Sequence, residues 1–413
     1  MNAPAVSRRW SGAGALVVVL VRLVLLPAGP PAAGAEEPPA WKRGVWADEN
    51  FFPIGVWLQS PANAARYKAA GINVYVGLWK GPTTAQLAEL EKAGMPVICE
   101  QNPVALERPG DPRILGWMHG DEPDNAQALP GGKGYGPPIL PSVIQADYQR
   151  IRAADPSRPV LLNLGQGVAW DQYIGRGVRR NHPEDYPEYL RGCDIASFDI
   201  YPVVHPSPEV AGRLEFVAGG VERLVRWTEG RKPVWNCIEC TRISNPRAKA
   251  TPAQVRSEVW MSLVRGSRGL IYFVHQFEPV FREAALLDDP EMLSAITELN
   301  RQIRELAPVL NSPEVRDGLR VTSSVPDASI AWMQKRRGDE IHVFAVNLRP
   351  QAVRGTFEWT ASADPAAGDA PGDVEVVGEG RRVRLESGRF ADDFQPYEPH
   401  VYRRKVSASN RRP

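Results

Sequence analysis

Four cysteines in 413 residues are too few to build a disulfide framework. An excess of charge is missing as well. The 49 basic and 48 acidic side chains leave a net +1, so composition gives no case for nucleic acid or an anionic membrane as partner. No uninterrupted apolar run reaches the roughly 18 residues of a membrane span; the longest candidate, Ala15 to Leu26, is broken by Arg22. The chain also has no metal-ligand cluster, phosphate loop or nucleophile elbow. Gly131-Gly132-Lys133-Gly134 lacks both the strand-to-helix setting and the Lys-Ser/Thr ending of a P-loop. No cofactor, metal or nucleic-acid partner is therefore expected. Cys237-x-x-Cys240 has the spacing of a redox or zinc pair but lies within an expected strand. Buried thiols are the expectation for all four cysteines, because free cysteine packs as a small hydrophobe.

What is present starts with an export pattern. Arg8 and Arg9 precede the apolar run, and Ala33-Gly34-Ala35 supplies small residues before Glu36. Residues 1–35 are read as a signal peptide for a secreted or periplasmic protein, with no membrane span in the mature chain; the Arg pair after Ser7 also fits a twin-arginine signal. Twelve tryptophans serve mainly as core, with a few available to line a cleft.

From there short apolar runs alternate with amphipathic stretches, the pattern of a parallel sheet covered by helices. Eight runs qualify as strands: 52–59, 72–79, 95–101, 114–120, 159–165, 194–201, 232–240 and 269–276. Each is nearly continuously apolar, as buried parallel strands are. Helices are expected over 61–71, 83–94, 142–154, 210–228, 252–265 and 290–310, with no clear helix between the third and fourth strands. The fold class is α/β: a (β/α)8 barrel over 36–310, then a small β-sandwich over 311–405 and a frayed tail over 406–413. Seven short strand-like runs, at 320–322, 329–335, 340–347, 354–359, 374–377, 382–385 and 400–404, carry the sandwich; Ala361 to Gly372 reads as a loop.

Two acidic segments stand at strand ends, where a barrel gathers its reactive groups. Asp121-Glu122-Pro123 follows the fourth strand, and Pro123 biases Glu122 toward an extended conformation. Glu239 closes the seventh strand, where an apolar run makes an acid costly to bury without a purpose. Strand ends four and seven face each other across the mouth. Glycosidic cleavage needs such a pair, one protonating the leaving oxygen and one attacking or activating water.

At these residues the chain resembles the clan A glycoside hydrolases, retaining barrels related to the β-galactosidases and endo-glycanases. The resemblance spans 45–310 and implies Glu122 as acid/base, Glu239 as nucleophile and Tyr201 as a hydrogen-bond partner of the nucleophile. Where that family usually has asparagine before the acid/base, this chain has Asp121, whose charge would help hold Glu122 protonated. A carbohydrate is the implied partner and a β-linked glycan the implied substrate.

Further candidates to contact substrate are His119, Asp199, Trp57, Trp79, Asn163, Trp170 and His275, with Gln59, Gln101 and Gln276 as strand-end amides. By strand alternation His119 should point inward with Asp121. Structural roles compete for several of these: Glu239 as an ion-pair partner of Arg242, Asp199 in a buried ion pair, His119 as a hydrogen-bonded scaffold. A non-catalytic carbohydrate-binding barrel is the alternative function. Oligomeric state is left open.

Overall fold

The eight apolar runs pair edge to edge and close on themselves. A computed structural model describes residues 44–326, 330–360 and 372–405. The residues read as a signal peptide (1–35), those expected to form a loop (361–371) and those expected to fray (406–413) lie outside the described residues.

The barrel is built from β1 (Ile54–Trp57), β2 (Val74–Val76), β3 (Val97–Glu100), β4 (Ile114–Met118), β5 (Val160–Leu164), β6 (Ile195–Phe198), β7 (Val234–Glu239) and β8 (Ser267–Phe273), all parallel and in sequence order. Closure is direct, since Gly55 is in register with Val74 on one side and with Ile271 on the other. The helices are α1 (Ala64–Ala69), α2 (Thr84–Ala93), α3 (Pro103–Leu106), α4 (Pro141–Ala154), α5 (Tyr186–Tyr189), α6 (Glu215–Trp227), α7 (Pro252–Val264) and α8 (Pro290–Leu310). The crossover expected to lack a clear helix contains only the single turn of α3. Local chemistry sets the helix starts. Thr83 and Thr251 each form a reciprocal capping box with the glutamine three residues on, which satisfies two otherwise orphaned amides.

Alternate side chains of the strands separate two apolar layers. Val74, Val76, Ile98, Leu161, Ile195, Cys237 and Ile271 fill the barrel interior. Val97, Val160, Leu162, Ile238 and Leu270 face the helices. Trp46, held by its indole N–H on the Leu115 carbonyl oxygen at 3.2 Å, lies against Trp235 and closes the amino-terminal end. The interior is packed below, so any cleft must open above.

Beyond α8 the chain folds into two antiparallel sheets. Their strands are β9 (Leu319–Ser323), β10 (Ile330–Arg337), β11 (Glu340–Asn347), β12 (Val353–Trp359), β13 (Gly372–Val376), β14 (Arg381–Leu385), β15 (Arg389–Phe394) and β16 (Pro399–Lys405). The five-stranded sheet runs β10-β11-β16-β13-β14 and the three-stranded one β15-β12-β9. Their facing sides bury Val343, Phe357, Phe390 and Tyr402, with Phe357 stacked on Phe390 at 4.7 Å. The other side of the larger sheet joins the barrel core through Met333, Phe344, Val346 and Val401, and Phe344 stacks on Trp260 of α7 at 5.7 Å. Burial on both sides explains why β11 reads as nearly continuous apolar sequence.

One strand was not expected. β15 carries Asp392-Asp393, which reads as loop, but Asp392 is buried under both guanidinium nitrogens of Arg381 at 2.9 Å and the Tyr402 hydroxyl at 3.0 Å. All four cysteines are buried and unpaired.

Candidate functional site

At the carboxyl end of the strands a cavity of about 630 Å³ opens, lined by Trp57, Leu58, Trp79, Asp121, Glu122, Asp199, Tyr201, Phe273, His275, Phe277, Phe281 and Glu283. The structure thus brings together seven of the residues singled out in the sequence: Asp121, Glu122, Asp199, Tyr201, Trp57, Trp79 and His275. It does not bring in Glu239, His119, Asn163 or Trp170.

Glu122 is the focus. Its φ is +44°, a left-handed conformation that a residue with a Cβ rarely adopts, so the extended backbone expected before Pro123 is not found. Neighbours over-determine the strain. The Glu122 amide donates to the Asn163 carbonyl oxygen at 3.2 Å, and its own carbonyl oxygen accepts from the Asn125 amide at 3.1 Å. Strain held in this way clusters at functional sites. Gly165 makes room for the side chain: a Cβ there would lie 2.6 Å from Asn125 Oδ1 and 2.9 Å from Glu122 Oε1.

The loops carrying these groups are tied together beneath the cleft. Asp124, wholly buried, accepts from the Gly165 amide at 2.9 Å and the Tyr186 hydroxyl at 3.0 Å. Arg176, equally buried, sits 3.9 Å from Asp124 and donates to Asp185 at 2.8 Å. This buried pair joins the loop after β4 to the loop after β5. Sequence reading missed both residues, because only the fold shows that two long loops meet there.

The acid chemistry follows from crowding. Glu122 is pushed well above the ordinary carboxyl range by loss of hydration, then by the charges of Asp199 and Asp121. Asp199 is raised to about 7, chiefly by burial and then by the charge of Asp121. No amide, hydroxyl or cation reaches the buried Asp199 Oδ1. Both carboxyls are drawn toward the protonated form by burial and by neighbouring acidic charge. Asp121 opens onto the cleft; lost hydration and the charge of Asp124 draw its carboxyl upward, and Asn163 donates to it at 2.9 Å. Asn163 is therefore a support of Asp121 rather than a wall of the cleft.

The remaining walls are aromatic. Trp79, Phe277 and Phe281 are 68%, 46% and 59% exposed, unusual for such side chains. His275 stacks on Phe277 at 6.0 Å and accepts from the Gln59 side-chain amide at 3.1 Å. Phe277, Phe281 and Glu283 come from the loop after β8 and were not identified from sequence. The available signal was two phenylalanines in a polar loop behind the last strand.

Glu239 corrects the expected pairing. It is wholly buried, and its oxygens accept from the Val203 and Val204 amides at 2.6 and 3.1 Å. Beside it, Glu258 of α7 is also wholly buried and is raised far above the carboxyl range by burial and by the Glu239 charge. Two amides in the turn after β6 hold the Glu239 carboxyl where strand parity alone would have aimed it at the mouth. Tyr201 lines the cleft with Asp199, and Arg242 donates to the Pro246 carbonyl oxygen at 3.2 Å. His119 turns away from Asp121, because Met118 is the residue that packs in the interior; its Nε2 donates to the Gly192 carbonyl oxygen at 2.7 Å. Trp170 packs against His205 at 5.4 Å and Tyr173 at 6.2 Å, behind the wall. Gln59, Gln101 and Gln276 spend their amides on carbonyl oxygens of the chain itself.

Tyr201 also lines a second cavity of about 300 Å³, together with Gln166, Val204, His205, Asn245 and Arg247. The two cavities share that ring as a common wall. Among the described residues no group of three or more His, Cys, Asp or Glu side chains is arranged to hold a metal ion, and no helix is long and apolar enough to cross a membrane.

No family model matches the chain, and no curated protein matches it. Solved structures do. An alpha-amylase from Geobacillus thermoleovorans complexed with acarbose is similar over 87% of this chain and 99% of its own, at TM-score 0.50 and 12% identity. An alpha-amylase from Lactobacillus plantarum is similar over 86% and 99%, at TM-score 0.49 and 13% identity. A glycoside hydrolase family 30 xylanase from Clostridium acetobutylicum is similar over 86% and 96%, at TM-score 0.44 and 10% identity. What this chain has in common with such barrel glycoside hydrolases is the fold: an eight-stranded parallel barrel followed by antiparallel sheets.

Proposed function

We propose that the protein is a glycoside hydrolase in which Glu122 is the catalytic acid. The carrying observation is a glutamate in an aromatic cleft that it shares with Asp121 and Asp199, its carboxyl pushed upward by burial and by their charges. Trp79, Phe277 and Phe281 supply faces on which the C–H surface of a sugar ring stacks. Glu122 gives its proton to the glycosidic oxygen as the bond to the anomeric carbon breaks, and Asp199 is the carboxylate left to meet that carbon.

Both carboxyls line one cavity, as a glycosidase pair must. A retaining outcome on a β-linked glycan is proposed, as the family resemblance implies. Tyr201, shared by both cavities, divides a substrate of at least two units. Export to a secreted or periplasmic location belongs to the same proposal, on the pattern of Arg8-Arg9, Ala15 to Leu26 and Ala33-Gly34-Ala35.

The second reading is a carbohydrate-binding barrel without turnover. The sealed position of Glu239, the expected nucleophile, favours it. A glycan panel scored separately for binding and for product separates the two. Product that disappears in Glu122→Gln while binding persists supports the hydrolase; binding with no product from any glycan supports the second reading.

A further inference from the structure

We infer that the cleft is built for a saccharide carrying free ammonium groups, an amino sugar with unacetylated 2-amino units, in preference to neutral or anionic sugars. The inference rests on the carbohydrate reading of the same cavity. Its charged lining is acidic. Asp121, Glu122, Asp199 and Glu283 face the space, and no lysine or arginine is among the described lining residues. The amides that would donate to sugar hydroxyls are committed elsewhere: Asn163 to Asp121, and Gln59 to Glu283's carbonyl oxygen and His275. Glu283 Oε1 is occupied by the Ser60 amide, which leaves its other oxygen for the cavity. An ammonium is three donors and no acceptor, so it matches such a wall where a hydroxyl, both donor and acceptor, matches it only in part.

Charge points the same way. Arg176, which lies beside Asp124, is buried and engaged by Asp124 and Asp185, and among the described residues no lysine or arginine lines the cavity with Asp121, Glu122 and Asp199. Asp121, Glu122 and Asp199 are all pushed upward, with each other's charge among the causes. A bound ammonium would relieve that repulsion and release protons. The ionisable groups facing the space or bordering it are Asp121, Glu122, Asp124, Asp199, Glu283, His275, Tyr173 and Tyr201. The aromatic walls suit a cation as well: Lys80 already holds its ammonium 5.9 Å from the Trp79 ring centroid. A uronic or sulfated sugar would meet only repulsion. Arg247 lines the neighbouring cavity, so the two cavities differ in sign and the ammonium-bearing unit belongs on the acidic side of Tyr201.

The test is calorimetric titration of the intact protein near pH 6 with three tetramers that share β-1,4 linkage and differ at C2: glucosamine, N-acetylglucosamine and cellotetraose. The glucosamine tetramer is expected to bind about tenfold more tightly than the other two, to release protons on binding, and to lose most of its advantage near 1 M salt. Glu283→Gln and Asp121→Asn should each erode that advantage, and Trp79→Ala should weaken all three ligands. Cellotetraose binding as tightly as the glucosamine tetramer overturns the inference. If the neutral sugar is also cleaved, the hydrolase reading survives that result; if none of the three binds, the charge preference falls and the wider glycan panel alone decides the hydrolase reading.

Discussion

Replacing Glu239 by glutamine separates the two roles open to that residue. As a nucleophile it would have to reach substrate; as a structural acid it stays on the Val203 and Val204 amides. Burial raises its carboxyl from 4.5 to about 8, against the pull of those amides. A folded-state pKa above the unfolded one means stability that is complete below about 4.5 and lost as pH rises through about 8. At about 1.4 kcal/mol per pH unit, that interval corresponds to about 5 kcal/mol, shared with Glu258 through their contact. Glutamine cannot ionise, so this part of the pH dependence disappears. Its amide nitrogen, however, faces one of the two backbone N–H groups, and an unmatched buried donor costs about 1–3 kcal/mol. The variant should therefore be less stable than wild type near pH 5 and close to it, or more stable, near pH 8. Chemical unfolding at the two pH values measures the crossing. Turnover, once a substrate is in hand, should stay within a few-fold of wild type. An unchanged pH slope refutes the structural assignment. So does loss of turnover on the order of a thousandfold or more, together with azide rescue of Glu239→Ala as an α-glycosyl azide, which would restore Glu239 as nucleophile.

Glu122→Gln should cut turnover by roughly 10²–10⁴-fold, with the unfolding midpoint near that of wild type, as read from initial rates and a melting curve. Asp199→Asn removes the charge that holds Glu122 protonated; if residual activity is followed against pH, its basic limb should move about one unit toward acid, and an unmoved limb would show that Asp199 does not set the Glu122 proton. Gly165→Ala places a methyl group 2.6–2.9 Å from Asn125 and Glu122 side-chain oxygens, so turnover should fall while the fold persists by circular dichroism. Arg176→Ala leaves Asp124 buried without its cation, a loss of about 3–5 kcal/mol measurable by urea unfolding.

The barrel was legible because its signal is local. Parallel strands buried on both faces must be apolar throughout, and helices must start and stop on capping residues, so seven of the eight strands fall inside the expected runs and β8 begins two residues ahead of its own. The Asp121-Glu122 segment was legible for a related reason: strand order alone places it at the mouth. β15 was not, because the partners that neutralise Asp392, namely Arg381 and Tyr402, sit on other strands of the sandwich.

By itself, then, the amino-acid sequence determined the succession of strands and helices, the end of the barrel where chemistry collects, and Asp121, Glu122 and Asp199 as candidates there. Tertiary structure alone decided which second carboxyl shares that space. A strand's alternation tells which side a residue leaves from, but at the strand's end the side chain goes where hydrogen bonds await it. Two amides from the turn after β6 claimed Glu239, while Asp199 lines the same cavity as Glu122. Those contacts join segments tens of residues apart, and no short stretch of the chain encodes them.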